Sequence, residues 1–590
     1  MKRGSTRIRN KYTRIKKLLP TIEFVRAYKL NYSAFEEEVI FMPFNVQIKD
    51  RTFTCERKTQ ILDIIREYDP DKMAVAARVD NRVRELTYEL SHDCKVEILT
   101  VKDSDAIKVY EASLRYVVAM AFSRCYPDLK IRFSYNVSRC VSISFLDPSV
   151  VATTAMLLKV THEIDRIIEA DLPLRRMKVS FDEARKVYEE RGFEDKMAIL
   201  EYRPENNVHL YSCEEYMDYM YNHMVPSTGY LHQYKLRLYR PGFMLQYPRA
   251  ELGGEIPSFI DAPTFNRTLK ESHDWAKIVG SDTVAGINDS IKKRGTIEFL
   301  NLCEARHNRM LCELGQLIED SIDDISLICI AGPSSSGKTT FANRLRIELL
   351  SRGINPIRIS LDDYYLTKAE VPLDADGKPD LEHIEALDID LFNQNMLDLI
   401  NGETVTLPKF DFQLGKRVPG REIHVGKNEP IIIEGIHALN DRLTVDIPKS
   451  AKFKIFISPQ AQMNLDDHNP VSLTDLRLIR RIVRDFKFRN ASAEETLSMW
   501  PSVRAGEFRW IYDCQEGSDY VYNSMLSYEL PVMKKYALPL LREIDVESPY
   551  FPIAQRLIRM LKYFIDMPDE WIPSNSLMRE FIGGSCYADV

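Results

Sequence analysis

No Cys-x-x-Cys pair occurs in the 590 residues, and the ten cysteines are scattered from Cys55 to Cys586. That spacing argues against a disulfide framework and a cysteine-held zinc, and it fits reduced thiols. No apolar run approaches the roughly 18 residues of a membrane helix, and no hydrophobic signal core opens the chain, so a cytoplasmic protein without a membrane partner is expected. Strong charge of one sign is missing too. Lys and Arg number 80 against 87 Asp and Glu, a formal net charge of -7 that gives no global drive toward nucleic acid. Acid is absent from the first 17 residues, which carry eight Lys or Arg. Such an arm reads as a disordered tail, an organellar presequence or a contact to a phosphate backbone, and the three stay open.

What is present is more decisive. Residues 332 to 339 read Gly-Pro-Ser-Ser-Ser-Gly-Lys-Thr, after the apolar run that ends at Ala331 and before a helical pattern through Phe341, Leu345 and Leu349. A G-x-x-x-x-G-K-[ST] loop works when a buried strand delivers it and a helix N-terminus follows, because the loop's backbone N–H groups then face phosphate. Gly332, Pro333, Ser334, Ser335, Ser336, Gly337, Lys338, Thr339 and Thr340 are therefore assigned to nucleotide binding. Lys338 serves the β and γ phosphates and the Thr339 hydroxyl serves Mg²⁺. Gly353 stands where a left-handed helix cap is expected.

Beyond the loop, strand patterns at 356–361, 430–434 and 453–457 alternate with helical stretches, which predicts a parallel sheet with helices on both faces. Ligands sit at the carboxyl ends of such strands, where Asp362 and Glu434 fall. An acid directly after a buried run needs a cation, so Mg²⁺ coordination is expected of both. Arg477, Arg480, Arg481 and Arg484 share one face of a predicted helix, opposite Ile479, Ile482, Val483 and Phe486. That pattern predicts one packed face and an arginine lid over the transferring phosphoryl group, which Arg489 extends.

The segments Asp362-Asp-Tyr-Tyr365, Glu382-His-Ile-Glu385, Phe410-Asp-Phe412, Ile433-Glu-Gly435 and Arg480-Arg-Ile-Val-Arg-Asp485 resemble the uridine kinase and phosphoribulokinase family. The resemblance implies Asp362 as the base, Lys338, Arg481 and Arg484 as catalytic cations, and Thr339, Asp362 and Glu434 around the metal. It places Tyr365, Glu382, His383, Phe410, Phe412, Arg481 and Arg489 about the acceptor. It implies ATP and Mg²⁺ as cofactors and transfer of the γ-phosphoryl group to the 5′-hydroxyl of uridine or cytidine, in pyrimidine salvage. Two departures concern the base: Gly415 stands where those kinases have a histidine, and Arg489-Asn-Ala491 replaces an Arg-Gly-Arg. A regulatory ATPase that senses RNA or nucleotides, and a kinase for another sugar or alcohol, are the alternative readings.

The N-terminal half, from Val46 to Thr100, resembles the TGS module of threonyl-tRNA synthetases. Residues 105 to 265, with Val225-Pro-Ser-Thr-Gly229, resemble the editing domain that follows it there. That domain's H-x-x-x-H and C-x-x-x-H metal ligands fall on Tyr110, Leu114, Met220 and Met224, so neither zinc nor hydrolytic editing is expected. His223, one residue off, is read as a lone structural histidine. The expected organisation is a multidomain α/β chain. It has a basic arm (1–43), a TGS-like β-grasp module (44–104), an α+β editing-like domain without metal ligands (105–265), a helical connector (266–320) and a P-loop kinase with a parallel sheet flanked by helices (321–590). Leu300, Leu302, Met310, Leu311, Leu314 and Leu317 form the connector's apolar stripe. A small-molecule nucleoside is the expected partner; RNA contact by the N-terminal half and homo-oligomer formation are further candidates.

Overall fold

The computed structural model describes residues 42–135, 139–374, 377–411, 414–426, 429–460 and 463–588. Residues 1–41 of the basic arm, Phe412 and the arm's candidate roles lie outside them.

The second half is built on a five-stranded parallel sheet. In sheet order the strands are Ile357–Ser360, Ile431–Glu434, Leu327–Ala331, Lys452–Ser458 and Tyr520–Asn523, so the phosphate-loop strand lies at the centre. Every residue of Leu327–Ala331 is buried, as a strand covered on both faces requires. Its side chains alternate between two cores. Ile328 and Ile330 pack with Phe341, Leu345 and Leu349 of the helix Lys338–Ser351. Leu327, Cys329 and Ala331 pack with Phe392, Met396 and Leu399 of the helix Ile389–Ile400. The fifth strand was not evident from sequence; Tyr520–Asn523 is short and its inner neighbours Val521 and Tyr522 give little period.

In the first half, residues 44–100 form a five-stranded mixed sheet with the short helix Ile61–Ile65. Residues 131–145 and 235–246 form a four-stranded antiparallel sheet under the buried helix Ser104–Cys125, and residues 175–219 form a three-stranded one. Tyr110 uses its hydroxyl to receive the Gln233 N–H and to donate to the Gln233 carbonyl, both at 2.9 Å. Among the described residues, no group of three or more His, Cys, Asp or Glu is placed to hold a metal, and no helix is long and apolar enough to cross a membrane.

The halves share a core. Val208, Leu210 and Tyr219 join Phe299, Leu300, Met310, Leu311 and Leu314 of the helix Thr296–Glu319 and the helix-covered face of the kinase sheet. Leu317 departs from the expected stripe: it is exposed, and Ile318 takes the inward position. The 24-residue helix follows its own 3.6-residue period, which carries position 317 out toward solvent.

Candidate active site

Gly332 follows the central strand at a point where no side chain fits, since a Cβ would stand 1.9 Å from the Ile457 carbonyl oxygen. Ser335 (φ +59°) and Gly337 (φ +90°) adopt left-handed backbone, which curls the loop around a concavity lined by N–H groups. The hydroxyls of Ser335, Ser336 and Thr340 are sealed from solvent without a hydrogen-bond partner among the described residues. They lie beneath the loop surface, so the donors this loop turns toward the cleft are its backbone N–H groups. Lys338 Nζ donates to the carbonyls of Gly332 and Pro333 at 3.0 and 3.3 Å. Burial lowers its pKa, while Glu434, Asp362 and Glu580 oppose that shift.

The acids arrive on neighbouring strands. Ser360 pairs with Glu434, and Glu434 in turn pairs with Ile330, two residues before the loop begins. The Ser360 hydroxyl donates to Glu434 Oε1 at 3.2 Å and accepts the Asp362 N–H at 3.3 Å. Serine thus joins both acids to one strand end. Glu434 is pushed up to about 7 by burial and then by the charge of Asp362, and Arg358 at 3.6 Å only partly offsets this. Asp362 is reached by solvent yet recessed between the cleft walls; removal from bulk water raises its pKa, and Lys338, Arg489 and Arg484 pull it back. Thr339, Asp362 and Glu434 offer oxygen donors only, the set that fits magnesium.

Among the residues expected about the acceptor, Glu382 is also pushed up to about 7, by burial and then by Glu507, against the pull of Arg481. Gly506 makes room for it: a Cβ there would stand 2.4 Å from Glu382 Cβ. The Tyr365 ring meets Phe410 edge-on at 6.1 Å, and burial and then Asp362 and Glu382 raise its hydroxyl well above the usual range. His383 is engaged locally, since its Nδ1 accepts the Glu385 N–H at 3.1 Å and its ring stands 4.8 Å from Trp510.

The arginine helix, Leu473–Arg489, departs from its expected form. Arg477 and Arg480 are buried rather than presented to the cleft. Arg480 is ion-paired with Glu529 and donates to the carbonyls of Ser335 at 3.3 Å and Ser524 at 2.8 Å. Arg477 pairs with Glu507 and donates to the Ser334 carbonyl at 3.1 Å. Both tie the helix to the back of the loop. Arg481 donates to the Ser334 hydroxyl at 2.8 Å and to Asp485 at 3.1 Å, and Arg484 donates to Asp485 at 2.7 Å. Arg489 lies 3.6 Å from the same carboxylate. Phe486, expected on the packed face with Ile479, Ile482 and Val483, is 51% exposed. The buried part of the helix is wider than the spacing suggests: every residue from Asp475 to Val483 is buried, Arg481 along with Arg477 and Arg480, and exposure begins beyond it.

Two acids escaped the sequence reading. Glu507 accepts the Ser334 N–H at 3.1 Å; burial opposes its charge, but Arg477 and Arg504 hold its carboxyl below the ordinary range. Glu580 accepts the Thr340 N–H at 3.0 Å, and Leu577 lies so close to Gly337 that a Cβ there would meet it at 2.6 Å. Both come from distant helices that no local pattern connects to the loop. His223 is likewise not alone: its Nδ1 lies 3.3 Å from the buried Glu85, which also accepts the Tyr211 hydroxyl.

A family model described as phosphoribulokinase / uridine kinase family matches residues 327–529. A uridine kinase of Staphylococcus carnosus is 32% identical over 178 residues, covering 30% of this chain and 76% of its own. One of Bacillus pumilus is 30% identical over 177 residues, with coverages of 30% and 75%. The N-terminal region matches segments of threonine–tRNA ligases. That of Symbiobacterium thermophilum is 31% identical over 166 residues, which are 28% of this chain and 25% of the ligase. The chain therefore spans about a quarter of the length of that ligase and about three quarters of each uridine kinase.

Proposed function

Because the chain belongs, through its second half, to the phosphoribulokinase and uridine kinase family, we propose that it transfers the γ-phosphoryl group of ATP to an alcohol. The acceptor in this reading is the 5′-hydroxyl of uridine or cytidine. The observation that carries it is the meeting of Asp362, Glu434 and Lys338 at the carboxyl ends of two strands beside the phosphate loop. A nucleotide switch needs the loop and a metal ligand; it has no use for a recessed carboxylate such as Asp362 facing open cleft.

The chain's residues divide the work. The loop N–H groups and Lys338 hold the triphosphate. Asp362 accepts the proton of the acceptor hydroxyl, a contribution of about 10² to 10⁴-fold. Arg481 and Arg484, released from Asp485, neutralise charge on the transferring group. Magnesium held by Thr339, Asp362 and Glu434 would supply further neutralisation. Tyr365, Glu382 and Phe410 shape the acceptor pocket.

In this reading the N-terminal half is a TGS-like module and an editing-like domain, with boundaries at 44–104 and 105–265. Tyr110, Leu114, Met220 and Met224 stand where that domain's metal donors would be, so this half hydrolyses no ester. The test of the kinase reading is an acceptor screen with ATP and magnesium, read by product mass. Uridine or cytidine should give the highest kcat/KM. A sugar phosphate or non-nucleoside alcohol that wins by a wide margin overturns the nucleoside assignment, and ATP hydrolysis with no phosphorylated acceptor overturns the kinase.

A further inference from the structure

A second basic chamber, sharing no lining residue with the phosphate loop, lies where the mixed sheet, the helix Ser104–Cys125 and the C-terminal helix Phe551–Leu561 meet. Its volume is about 320 Å³, within the range of small-molecule sites. Five cations line it, Arg82, Arg84, Lys108, Arg556 and Arg559, against the single carboxylate of Asp105. A chain with a net charge of -7 has no general excess of base to scatter there.

Arg556 is paired with Asp475, but the other charges are poorly compensated. Asp105 is already shared between Arg78 at 3.3 Å and Arg556 at 3.5 Å. Arg559 stacks on Tyr221 at 5.2 Å, and its Nε is sealed from solvent without a hydrogen-bond partner among the described residues. Arg84 lies over the Tyr88 ring at 4.7 Å, and Arg82 over Phe551 at 5.7 Å. Lys108 reaches its ion-pair partner, Asp475, only at 4.0 Å. Burial, and after it the charge of Arg556, lowers the Lys108 pKa. Cations gathered in this way repel one another unless an anion joins them.

Arg84 and His223 also line a neighbouring, wider cleft of about 1150 Å³ that includes Tyr88 and Tyr230. One carboxylate ligand would leave most of the five cations uncompensated. Linked phosphates place several charges in so small a volume and match the guanidinium fork.

We propose that this chamber is a second ligand site, for a small polyphosphate such as the phosphate tail of a nucleotide. The rest of the ligand extends into the wider cleft. The site bears on the kinase half through one carboxylate. Asp475, in the first turn of the arginine helix, accepts from Arg556 Nε and Nη2, both at 3.0 Å, and faces Lys108. Phosphates that draw Lys108 and Arg556 into the chamber compete with Asp475 for them, and the helix that starts there carries Arg481 and Arg484 to the phosphate loop.

Calorimetric titration of the full chain with inorganic tripolyphosphate tests the site. Wild type should show two classes of site, Lys338→Ala should keep the chamber's, and Arg559→Gln should keep the loop's. Arg84→Gln and the rim variant Arg82→Gln, whose side chain bears on no buried partner, should each weaken the chamber's binding by about tenfold or less without change in melting temperature. Loss of all binding in Lys338→Ala, or an unchanged second site in both Arg559→Gln and Arg82→Gln, overturns the proposal. A short single-stranded RNA that binds wild type more tightly than tripolyphosphate and loses that binding in Arg82→Gln overturns the small-molecule assignment.

Discussion

At the junction of the two halves, Lys196 Nζ lies 2.8 Å from Asp466 and 3.1 Å from Asp218, and His468 closes on the other Asp218 oxygen at 2.5 Å. Above the phosphate loop, Glu434 is nearly as buried, but its ion-pair partner among the described residues is Arg358 at 3.6 Å. The two carboxylates shift in opposite directions. Burial opposes the charge of Asp218, yet Lys196 and then His468 hold it well below the usual range, whereas burial and Asp362 drive Glu434 up to about 7. A buried acid that meets its cation within the fold is a fastening. One left short of cations is held for something that arrives from outside.

The largest expected effect breaks the loop side of this comparison. Lys338→Ala removes the cation that both cleft acids face, and kcat/KM for phosphoryl transfer should fall by about 10³-fold or more; steady-state kinetics with near wild-type values would refute the assignment. On the junction side, Lys196→Met leaves Asp218 and Asp466 buried without their shared counterion. Stability should fall by about 3–5 kcal/mol, read as an earlier denaturant midpoint, and a midpoint that does not move would mean the cluster is not a fastening. Asp362→Asn keeps shape but removes the base. Calorimetry without magnesium should show unchanged ATP binding, while kcat with magnesium drops by about 10²-fold. Equal turnover in the two proteins would reduce Asp362 to a turn residue.

The same contrast explains what the sequence disclosed. The placement of the loop, its strand and Asp362 and Glu434 was legible because these residues follow directly on strands, and a strand end fixes where they lie. Arg477 and Arg480 were misread, although they lie on the predicted helix face, since periodicity gives a face and says nothing of what packs on it. Here Glu529 and Glu507, 49 and 30 residues away, turn half of that face inward. Glu580 on Thr340 and Glu85 beside His223 are contacts of the same kind, set by tertiary packing alone. The shared core was legible only on one side: the connector's stripe marked an apolar face, and only the fold shows that Val208 and Leu210 of the first half pack with it.

The smallest effect is also the most specific to the cleft. Glu434 has an ordinary pKa of 4.5, raised in the fold to about 7, so the folded protein binds its proton more tightly than the unfolded chain. The resulting stabilisation is complete below about pH 4.5 and is lost as pH rises through about 7. Glu434→Gln keeps the shape of the protonated side chain and cannot ionise. In the absence of nucleotide and magnesium, the two proteins should therefore melt together near pH 5, and the variant should melt about 1 to 3 °C higher near pH 8. Junction acids such as Asp218, whose pKa is lowered, titrate identically in both proteins and cancel from the difference. Thermal unfolding of the pair at a series of pH values reads that difference directly. Parallel curves from pH 5 to 8 would show that the Glu434 carboxylate is as well compensated as those at the junction, and the distinction between the two regions would collapse.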